Sequence, residues 1–404
     1  MSTTPAPSGR LVSLDALRGF DMFWILGADA LVVALGGLSA SPIAHFFAGQ
    51  LEHKQWEGFG FYDLIFPLFV FIVGVTTVYS LTSLIAREGR AAAVKRVLRR
   101  AALLLLLGIF YNGGLTHAWP DVRLAGVLSR IALAYAATGL LFCFLRPRAL
   151  AGVAAALLIG YWALLAFVPI RDIQLDDAAL KARLGVEHPT MAQAHAAFDA
   201  TTARVTGKFE PGLNLTNHLD FEYLPGRLYD HYYDPEGILS TLPAIATCLL
   251  GVFAGFLLKR TDVDDRHKVA VLFGAGVAAL VVGWLWNLQF PVIKKIWTSS
   301  YALVAGGWSL LLLGAFFYTV DVRQWRRWCQ PFVWIGANPI TLYILSSILW
   351  FPEVAQRLVG GSVSAWFDAH AGQGVGGIVV TIVGLGLMLA VARFLYVRKI
   401  FLRV

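Results

Sequence analysis

This 404-residue sequence has few charged residues. Asp, Glu, Lys and Arg make up only 14% of it, against about 25% in an ordinary soluble domain. Hydrophobic residues make up 58%, and the mean hydropathy is +0.66. We do not expect a soluble globular enzyme, because so few charges could not cover its surface, and the same composition excludes a disordered chain.

Cysteines and the signatures of common catalytic sites are also scarce. The three cysteines, Cys143, Cys248 and Cys329, are far apart and have neither a disulfide framework nor a metal-ligand spacing. The sequence lacks a phosphate-binding glycine loop, a nucleophile elbow and an HExxH motif. We therefore expect no metal site, and find no support for a soluble-type hydrolase or metalloprotease. The remaining class is a polytopic membrane protein.

Long apolar runs are abundant. A helix needs about 20 apolar residues to cross a bilayer, and we predict an all-α membrane bundle of about ten transmembrane helices. The predicted spans are approximately 16–38, 62–84, 97–113, 124–145, 149–168, 237–258, 268–288, 298–320, 331–351 and 374–396. The predicted organisation is a cytoplasmic tail 1–15, five helices in 16–168 with a catalytic loop 39–61, a periplasmic cap 169–236, and five helices with a cytoplasmic carboxyl terminus in 237–404.

The basic residues divide unequally between the two sides of such a bundle. With the amino terminus inside, the inner loops hold 20 Lys and Arg, and the short outer loops hold five. Those five are Lys54, Arg123, Lys294, Lys295 and Arg357. Since positive residues favour the cytoplasmic side, both termini are predicted to be cytoplasmic. The net charge of +8 is then explained by the basic residues of the inner loops. We therefore expect no nucleic-acid partner.

The long loop 169–236 is rich in aromatic residues in its second half. We predict a folded cap over the outer end of the bundle. Two roles stay open for it, namely contact with the substrate and a purely structural plug.

Three charged residues lie in the first predicted span. A charge at mid-bilayer costs at least about 2.5–3.5 kcal/mol and often marks a pathway or site. In a continuous helix Arg18 and Asp29 would lie on nearly one face, about 16 Å apart along the axis, with Asp21 offset. We predict a polar stripe; the alternative for Arg18 and Asp21 is a structural ion pair. Asp29 is deeper, has no local cation and is a candidate functional residue.

The segment before the second span contains His53 and Asp63. An imidazole can exchange a proton near neutral pH or accept an acyl group. A nearby carboxylate can orient the ring, as in a catalytic triad. The alternative is a solvated surface histidine.

Two further polar positions interrupt apolar runs. Arg130 needs an acidic or phosphate partner, or must extend to the outer interface. Asn338-Pro339 indicates a helix break, because proline disfavours helical conformation in the residue before it.

Several motifs stand in order along nearly the whole chain. They are Asp15-x-x-Arg18-Gly19, the block from His53 and Trp56 through Asp63 to Gly74, Arg123 to Arg130, Leu239 to Gly255, Phe290 to Tyr301, Asp321-Val322 and Asn338. In these motifs the chain resembles the heparan-α-glucosaminide N-acetyltransferase family, specifically its short bacterial members. At Asp29 it departs from animal members, which carry Asn there.

The resemblance implies transfer of an acetyl group from cytosolic acetyl-CoA to the amine of a glucosamine-type sugar on the periplasmic side of a bacterial inner membrane. The family's catalytic histidine falls on His53, and we add Asp63 and Asp29 as candidate catalytic residues. His53 would either accept the acetyl group or deprotonate the acceptor amine. The candidate substrate- and acetyl-CoA-binding residues are Arg18, Trp56, Arg123, Arg130, Lys294, Trp297 and Asn338. The expected partners are the amino sugar, the lipid bilayer and a possible second copy of the chain.

Two other functions stay open. The same polar residues would suit a transporter of amino sugars or cell-wall fragments, although the two related halves common in transporters are not evident. A transferase of a different acyl group to envelope glycans is the third option.

Overall fold

The computed structural model describes residues 11–38 and 41–401, most of which are helical. The predicted all-α membrane bundle is confirmed. Parts of three predicted segments lie outside the described residues: 1–10 of the tail, 39–40 of the catalytic loop and 402–404 at the end of the chain. Two of the predicted inner basic residues, Arg10 and Arg403, are therefore not described.

The first half of the chain forms six helices, because a backbone in lipid must satisfy its hydrogen bonds internally. Their bounds are α1 Val12–Phe23, α2 Asp29–Leu38, α3 Pro42–Gln50, α4 Phe61–Tyr111, α5 Val127–Phe144 and α6 Pro147–Phe167. A π-helical turn, Trp24–Ala28, joins α1 to α2.

The long loop forms a small folded unit between α6 and the second group of membrane helices. Its elements are β1 Ile170–Arg171, α7 Asp177–Leu184, α8 Met191–Ala200, β2 Arg204–Val205 and α9 Leu215–Tyr223. The two strands pair antiparallel, with Ile170 opposite Val205. Buried apolar residues from both halves of the unit, including Leu180, Phe198 and Tyr232, form its own core.

The second half contains eight helices. Their bounds are α10 Thr241–Lys259, α11 Asp265–Trp286, α12 Ser299–Phe316, α13 Gln330–Gly336, α14 Pro339–Leu349, α15 Phe351–Val359, α16 Ser362–Ala371 and α17 Val375–Val397. A π-helical segment, Phe317–Val322, extends α12.

Eight of the described helical segments are long and apolar enough to cross a membrane, or nine if α13 and α14 together make one span. The number differs from the predicted ten because the predicted spans 62–84 and 97–113 lie in the single 51-residue element α4.

The element α4 is a hairpin with two helical arms. A straight helix of this length would be about 76 Å long, whereas the hydrocarbon core is about 30 Å thick. Gly89 leaves the helical conformation, with φ 84° and ψ 174°. The two ends also meet: Tyr62 lines one cavity with Tyr343, and Tyr343 stacks on Tyr111 with ring centroids 4.3 Å apart. The two arms therefore match the second and third predicted spans.

Glycines bring the membrane helices close together. A Cβ at Gly74 on α4 would collide with the carbonyl of Cys248 on α10, and one at Gly251 would collide with the carbonyl of Phe71. The same reciprocal contact joins α1 to α13 at Gly19 and Gly336. Such small residues allow the close backbone packing typical of membrane helices.

The first predicted span is broken rather than continuous. Gly27, in the π-helical turn, has φ 115° and ψ 6°, so regular helical spacing does not connect Arg18 to Asp29. The predicted continuous polar stripe is therefore wrong. The alternative Arg18–Asp21 ion pair does not form either: both Asp21 carboxylate oxygens are buried without a hydrogen-bond partner, and Arg18 lies 3.7 Å from Asp15.

The predicted break at Asn338-Pro339 is confirmed. The axes of α13 and α14 differ by 83° across it, so the predicted span 331–351 is a bent pair. The break places Pro339 and Ile340 in the wall of a cavity.

Candidate active site

His53 and Asp63 are brought together by the segment that leads into α4. Asp63 lies in the first turn of the helix, where unpaired backbone N–H groups favour a carboxylate. It accepts hydrogen bonds from the backbone N–H of Gly60 at 3.0 Å and of Lys54 at 3.4 Å. Its side chain is fully buried, and its Oδ1 lies 3.0 Å from His53 Nδ1. The predicted pairing of an imidazole with an orienting carboxylate is present.

The His53 ring is held on one side and open on the other. It packs against Tyr62 with centroids 4.7 Å apart, while 54% of the side chain is exposed. Since Nδ1 faces Asp63, Nε2 is the ring nitrogen available to a substrate. This is the arrangement that a general base or an acyl acceptor needs.

Lys294 completes the cluster from the loop between α11 and α12. Its Nζ lies 2.9 Å from His53 Nδ1 and 3.4 Å from Asp63 Oδ1. The two loops are fixed to each other by a hydrogen bond from Gly58 N–H to Val292 O at 2.9 Å. Burial lowers the pKa of the Lys294 ammonium, against the opposing effect of the Asp63 carboxylate.

A cavity of about 410 Å³ opens beside this cluster. Its polar wall is formed by His53, Lys54, Tyr62, Arg123, Tyr229, Glu236, Lys294, Lys295 and Tyr343. Deeper in the bundle the wall is apolar and includes Met22, Phe69, Ile131 and Ile340. Phe69 is seven residues beyond Tyr62 on α4, so the cavity reaches about 10 Å into the membrane bundle.

An ion cluster joins the cap to this cavity. Arg123 donates through Nε and Nη2 to the two oxygens of Asp234, each at 3.0 Å, and through Nη2 to Glu236 at 2.9 Å. Burial and the nearby Asp234 raise the pKa of Glu236 to about 7. Glu236 therefore lies between Asp234, which disfavours its charge, and Arg123, which favours it.

Arg130 and Trp297, both predicted to bind substrate, lie behind the cavity rather than in its wall. Arg130 is buried and donates to Ser240 Oγ at 2.5 Å and Gly237 O at 3.2 Å. Its guanidinium lies 5.1 Å from the ring centroid of Trp297, whose Nε1 donates to Thr247. Its hydrogen bonds go to hydroxyl and carbonyl oxygens, while the acidic side chains of Glu236 and Asp220 lie near enough to interact with its charge.

The other predicted binding residues are also outside the cavity wall. Trp56 joins the segment before α4 to the cap by donating from Nε1 to Phe209 O at 2.8 Å. Asn338 donates to Ile400 O at 2.9 Å, and Arg18 donates to Gly336 O at 3.3 Å. Asp29 is a neighbour of Tyr62, on which the His53 ring packs.

Six polar residues of the cavity wall were not predicted as site residues: Lys54, Tyr62, Tyr229, Glu236, Lys295 and Tyr343. Tyr62 is adjacent to Asp63 in the recognised block, so its position was a usable signal. Glu236 and Tyr343 reach the cavity only through the folding of the cap and the bend after α13. Within residues 11–38 and 41–401, no group of three or more His, Cys, Asp or Glu side chains could hold a metal ion.

The fold and the site define a polytopic helical membrane protein with a histidine–aspartate–lysine cluster at the mouth of a cavity between its helices. No family model matches the chain. It is 25% identical over its full length to heparan-alpha-glucosaminide N-acetyltransferase of Mus musculus, and 27% identical over 72% of its length to the protein of that name in Homo sapiens. The chain is thus a distant homologue of this N-acetyltransferase, and the matches span only 63% and 48% of the two relatives.

Proposed function

We propose that the protein transfers an acetyl group from cytosolic acetyl-CoA to the amine of a glucosamine-type sugar on the periplasmic side of a bacterial inner membrane. The observation that carries this proposal is the His53–Asp63 pair, with Nδ1 and Oδ1 3.0 Å apart, at the mouth of a cavity that extends into the bundle. Homology to a membrane N-acetyltransferase supports the reaction class.

In one route His53 is a general base. Its Nε2 removes a proton from the sugar ammonium, and the free amine attacks the thioester carbonyl. The new C–N bond forms as the C–S bond breaks; the CoA sulfur leaves as a thiolate and is protonated, and the amide nitrogen loses its extra proton. Asp63 holds the ring and stabilises the imidazolium formed.

In the other route Nε2 attacks the thioester first. CoA leaves, and acetyl-imidazole forms on His53. The sugar amine then attacks this intermediate, which restores the imidazole and releases the amide. Both routes use the same open nitrogen.

The acetyl end of the donor would occupy the apolar deeper part of the cavity. The apolar deeper wall replaces the polar stripe expected from the first span. The highly charged nucleotide stays with the Lys and Arg residues of the inner loops, because charge is costly in hydrocarbon. The 20-to-five division of basic residues supports the cytoplasmic placement of both termini.

The test uses purified full-length protein, radiolabelled acetyl-CoA and glucosamine. His53→Ala is compared with His188→Ala, since His188 is an exposed histidine of the cap. We expect His53→Ala to lose about 10²–10⁴-fold in rate and His188→Ala to retain it. Sugar flux into liposomes without acetyl-CoA, unaffected by His53→Ala, would support the transporter instead.

The same experiment without acceptor separates the two routes. Label that stays on the native protein and is absent from His53→Ala indicates the acetyl-imidazole intermediate. Transfer with no trapped label indicates direct attack by the amine.

A further inference from the structure

The turn of the α4 hairpin lies at the end of the bundle opposite the candidate active site. Phe61 and Tyr111, the two ends of α4, lie towards the cavity mouth, and Gly89 lies between the two arms. The second arm packs against α5, because a Cβ at Gly139 would lie only 2.8 Å from Val97 Cγ2. The turn of α4 is therefore next to the connection from α5 to α6.

This end of α4 and α5 is strongly basic and has almost no acidic residues. Residues 87–100 and 144–150 together contain eight Lys or Arg and a single acid, Glu88. Glu88 lies 3.9 Å from Arg87. Among residues 11–38 and 41–401, no carboxylate forms an ion pair with the following cations: Arg90, Lys95, Arg96, Arg99, Arg146 and Arg148.

The loop between α10 and α11, at the same end of the bundle, has a different charge balance. Residues 259–268 contain four Lys or Arg and three Asp. Arg260 pairs with Asp262, and Lys268 pairs with Asp265. Membrane orientation accounts for basic residues in both places, but it does not account for the lack of acids beside α4. The cations there are available to an external anion.

An open groove lies between the second arm of α4 and the end of α5. Its lining includes three cations and three apolar side chains: Arg90, Lys95, Arg99, Val94, Leu98 and Phe144. Val94 and Leu98 are one helical turn apart, and the cations lie on either side of them. Leu98 is 50% exposed and Phe144 is 63% exposed. The groove therefore combines an apolar floor with a positively charged rim.

An exposed apolar stripe continues from this rim along α4. Leu103, Leu106 and Phe110 follow Arg99 at intervals of four, three and four residues, and their exposures are 37%, 63% and 55%. The helix rises about 16 Å from Arg99 to Phe110, which is close to half of a hydrocarbon core about 30 Å thick. The surface thus offers cations at one end and apolar contact over about one leaflet beyond them.

We propose that this groove and stripe bind an anionic phospholipid. Its headgroup phosphate contacts Arg90, Lys95 and Arg99, and its acyl chains lie over Leu98 and along α4. Basic pockets between membrane helices recognise anionic headgroups in this way. In the orientation proposed above, this end borders the cytoplasmic leaflet. The inference requires a membrane-spanning bundle and does not depend on acetyl transfer.

The nucleotide of coenzyme A is another source of phosphate that could meet these cations. None of the described residues lines both the groove and the cavity that contains His53. The groove opens outward past Leu98 and Phe144, which remain exposed. A nucleotide has no hydrocarbon chain to cover this apolar floor, whereas a phospholipid covers it. The shape and the charge together favour the lipid.

The first test uses the native full-length protein in nanodiscs and needs no variant. Trace phosphatidylglycerol or phosphatidylcholine with a diazirine on one acyl chain is irradiated, and labelled peptides are measured by mass spectrometry. The lipid-exposed valines of α11, including Val277 and Val281, report ordinary lipid contact. We expect the ratio of anionic to zwitterionic labelling to be at least about fivefold higher at residues 98–110 than at α11. Equal ratios at the two surfaces would overturn the proposal.

The second test removes the positive rim. Phosphatidylglycerol is titrated into the protein in an uncharged detergent, and native mass spectrometry measures the bound lipid. The variant Arg90→Gln, Lys95→Gln, Arg99→Gln should bind about 100-fold more weakly, since each cation contributes about fivefold. The matched control removes three basic residues from the α10–α11 loop: Lys259→Gln, Arg260→Gln and Arg266→Gln. Equal weakening in both variants would show an effect of total charge and contradict a specific site.

The third test separates a lipid from a soluble phosphate. Leu98→Gln combined with Phe144→Gln keeps every cation and should weaken phosphatidylglycerol binding, because the acyl chains lose their apolar contact. Unchanged lipid binding in this variant would contradict the assigned acyl-chain path. Coenzyme A is then added to the native protein with its lipid bound. We expect the lipid to stay bound; its displacement by coenzyme A would assign the groove to the nucleotide and reject the lipid site.

Discussion

The cavity mouth and the first membrane helix both contain charged residues in a largely apolar chain, but the environments of those charges differ. At the mouth, Asp63 has partners from its own segment and from the loop before α12, and Arg123 pairs with two carboxylates of the chain before α10. In α1, Asp21 is fully buried and neither carboxylate oxygen has a hydrogen-bond partner. It also does not line the cavity at the mouth.

The difference separates charges that have partners and lie beside a cavity from a charge that has neither. A charged side chain can act on a ligand when elements distant in sequence supply its partners and a cavity gives the ligand access. The following predictions test whether the mouth and α1 differ in function as they do in structure.

The largest effect is expected for Asp63→Asn. An amide cannot stabilise the imidazolium or hold the Nδ1–H tautomer as a carboxylate does, so acetyl transfer should fall about 10²–10⁴-fold. Rates with radiolabelled acetyl-CoA measure this, and Asp262→Asn, at an exposed ion pair, is the control. A variant that stays folded and keeps near-native activity would show that His53 works without this partner.

Removal of Arg123 should mainly reduce stability. Asp234 and Glu236 are buried, with side-chain exposures of 0% and 12%, and Arg123→Ala would leave them without their cation. Breaking such a buried pair typically costs about 3–5 kcal/mol. Arg260→Ala removes an exposed pair and should cost much less, because solvent screens that pair. Thermal unfolding in one detergent compares the two, and equal losses would contradict the structural role given to Arg123.

Asp220, in the cap beside the start of α10, should give the mouth a pH-dependent stability. Burial raises its pKa from 3.8 to about 7, and its Oδ2 has no hydrogen-bond partner. The folded state thus holds this proton over a range where the unfolded state has lost it, so stability falls as pH rises from about 4 to about 7. The slope from one group is at most about 1.4 kcal/mol per pH unit.

Unfolding measured across that range should show a shallower fall in Asp220→Asn than in the native chain. Glu236, whose pKa is also raised to about 7, maintains part of the slope. An unchanged slope in Asp220→Asn would show that Asp220 is ionised in the folded protein.

The sequence was informative where a property is local. Apolar runs predicted the helical bundle, Pro339 predicted the bend after α13, and His53 and Asp63 were selected from one short segment. The sequence did not predict positions that depend on the folded structure. Gly27 interrupts the helix between Arg18 and Asp29, and Arg130 is buried against Ser240 rather than lying in the cavity wall. Glu236 was missed because only the folded cap brings it to the site.

Asp21→Val gives the smallest expected effect. It tests whether the buried carboxylate of α1, unlike the charges at the cavity mouth, is unnecessary for function. A buried polar group without a partner costs roughly 1–3 kcal/mol, and an apolar replacement of similar shape removes that cost. We expect the variant to gain about 1 kcal/mol in thermal unfolding, less any strain from the added methyl groups, with acetyl transfer unchanged. If transfer falls while the protein stays folded, the carboxylate of α1 takes part in function and the mouth is not the whole site. A gain in stability at full activity would instead place Asp21 among the residues that the reaction does not use.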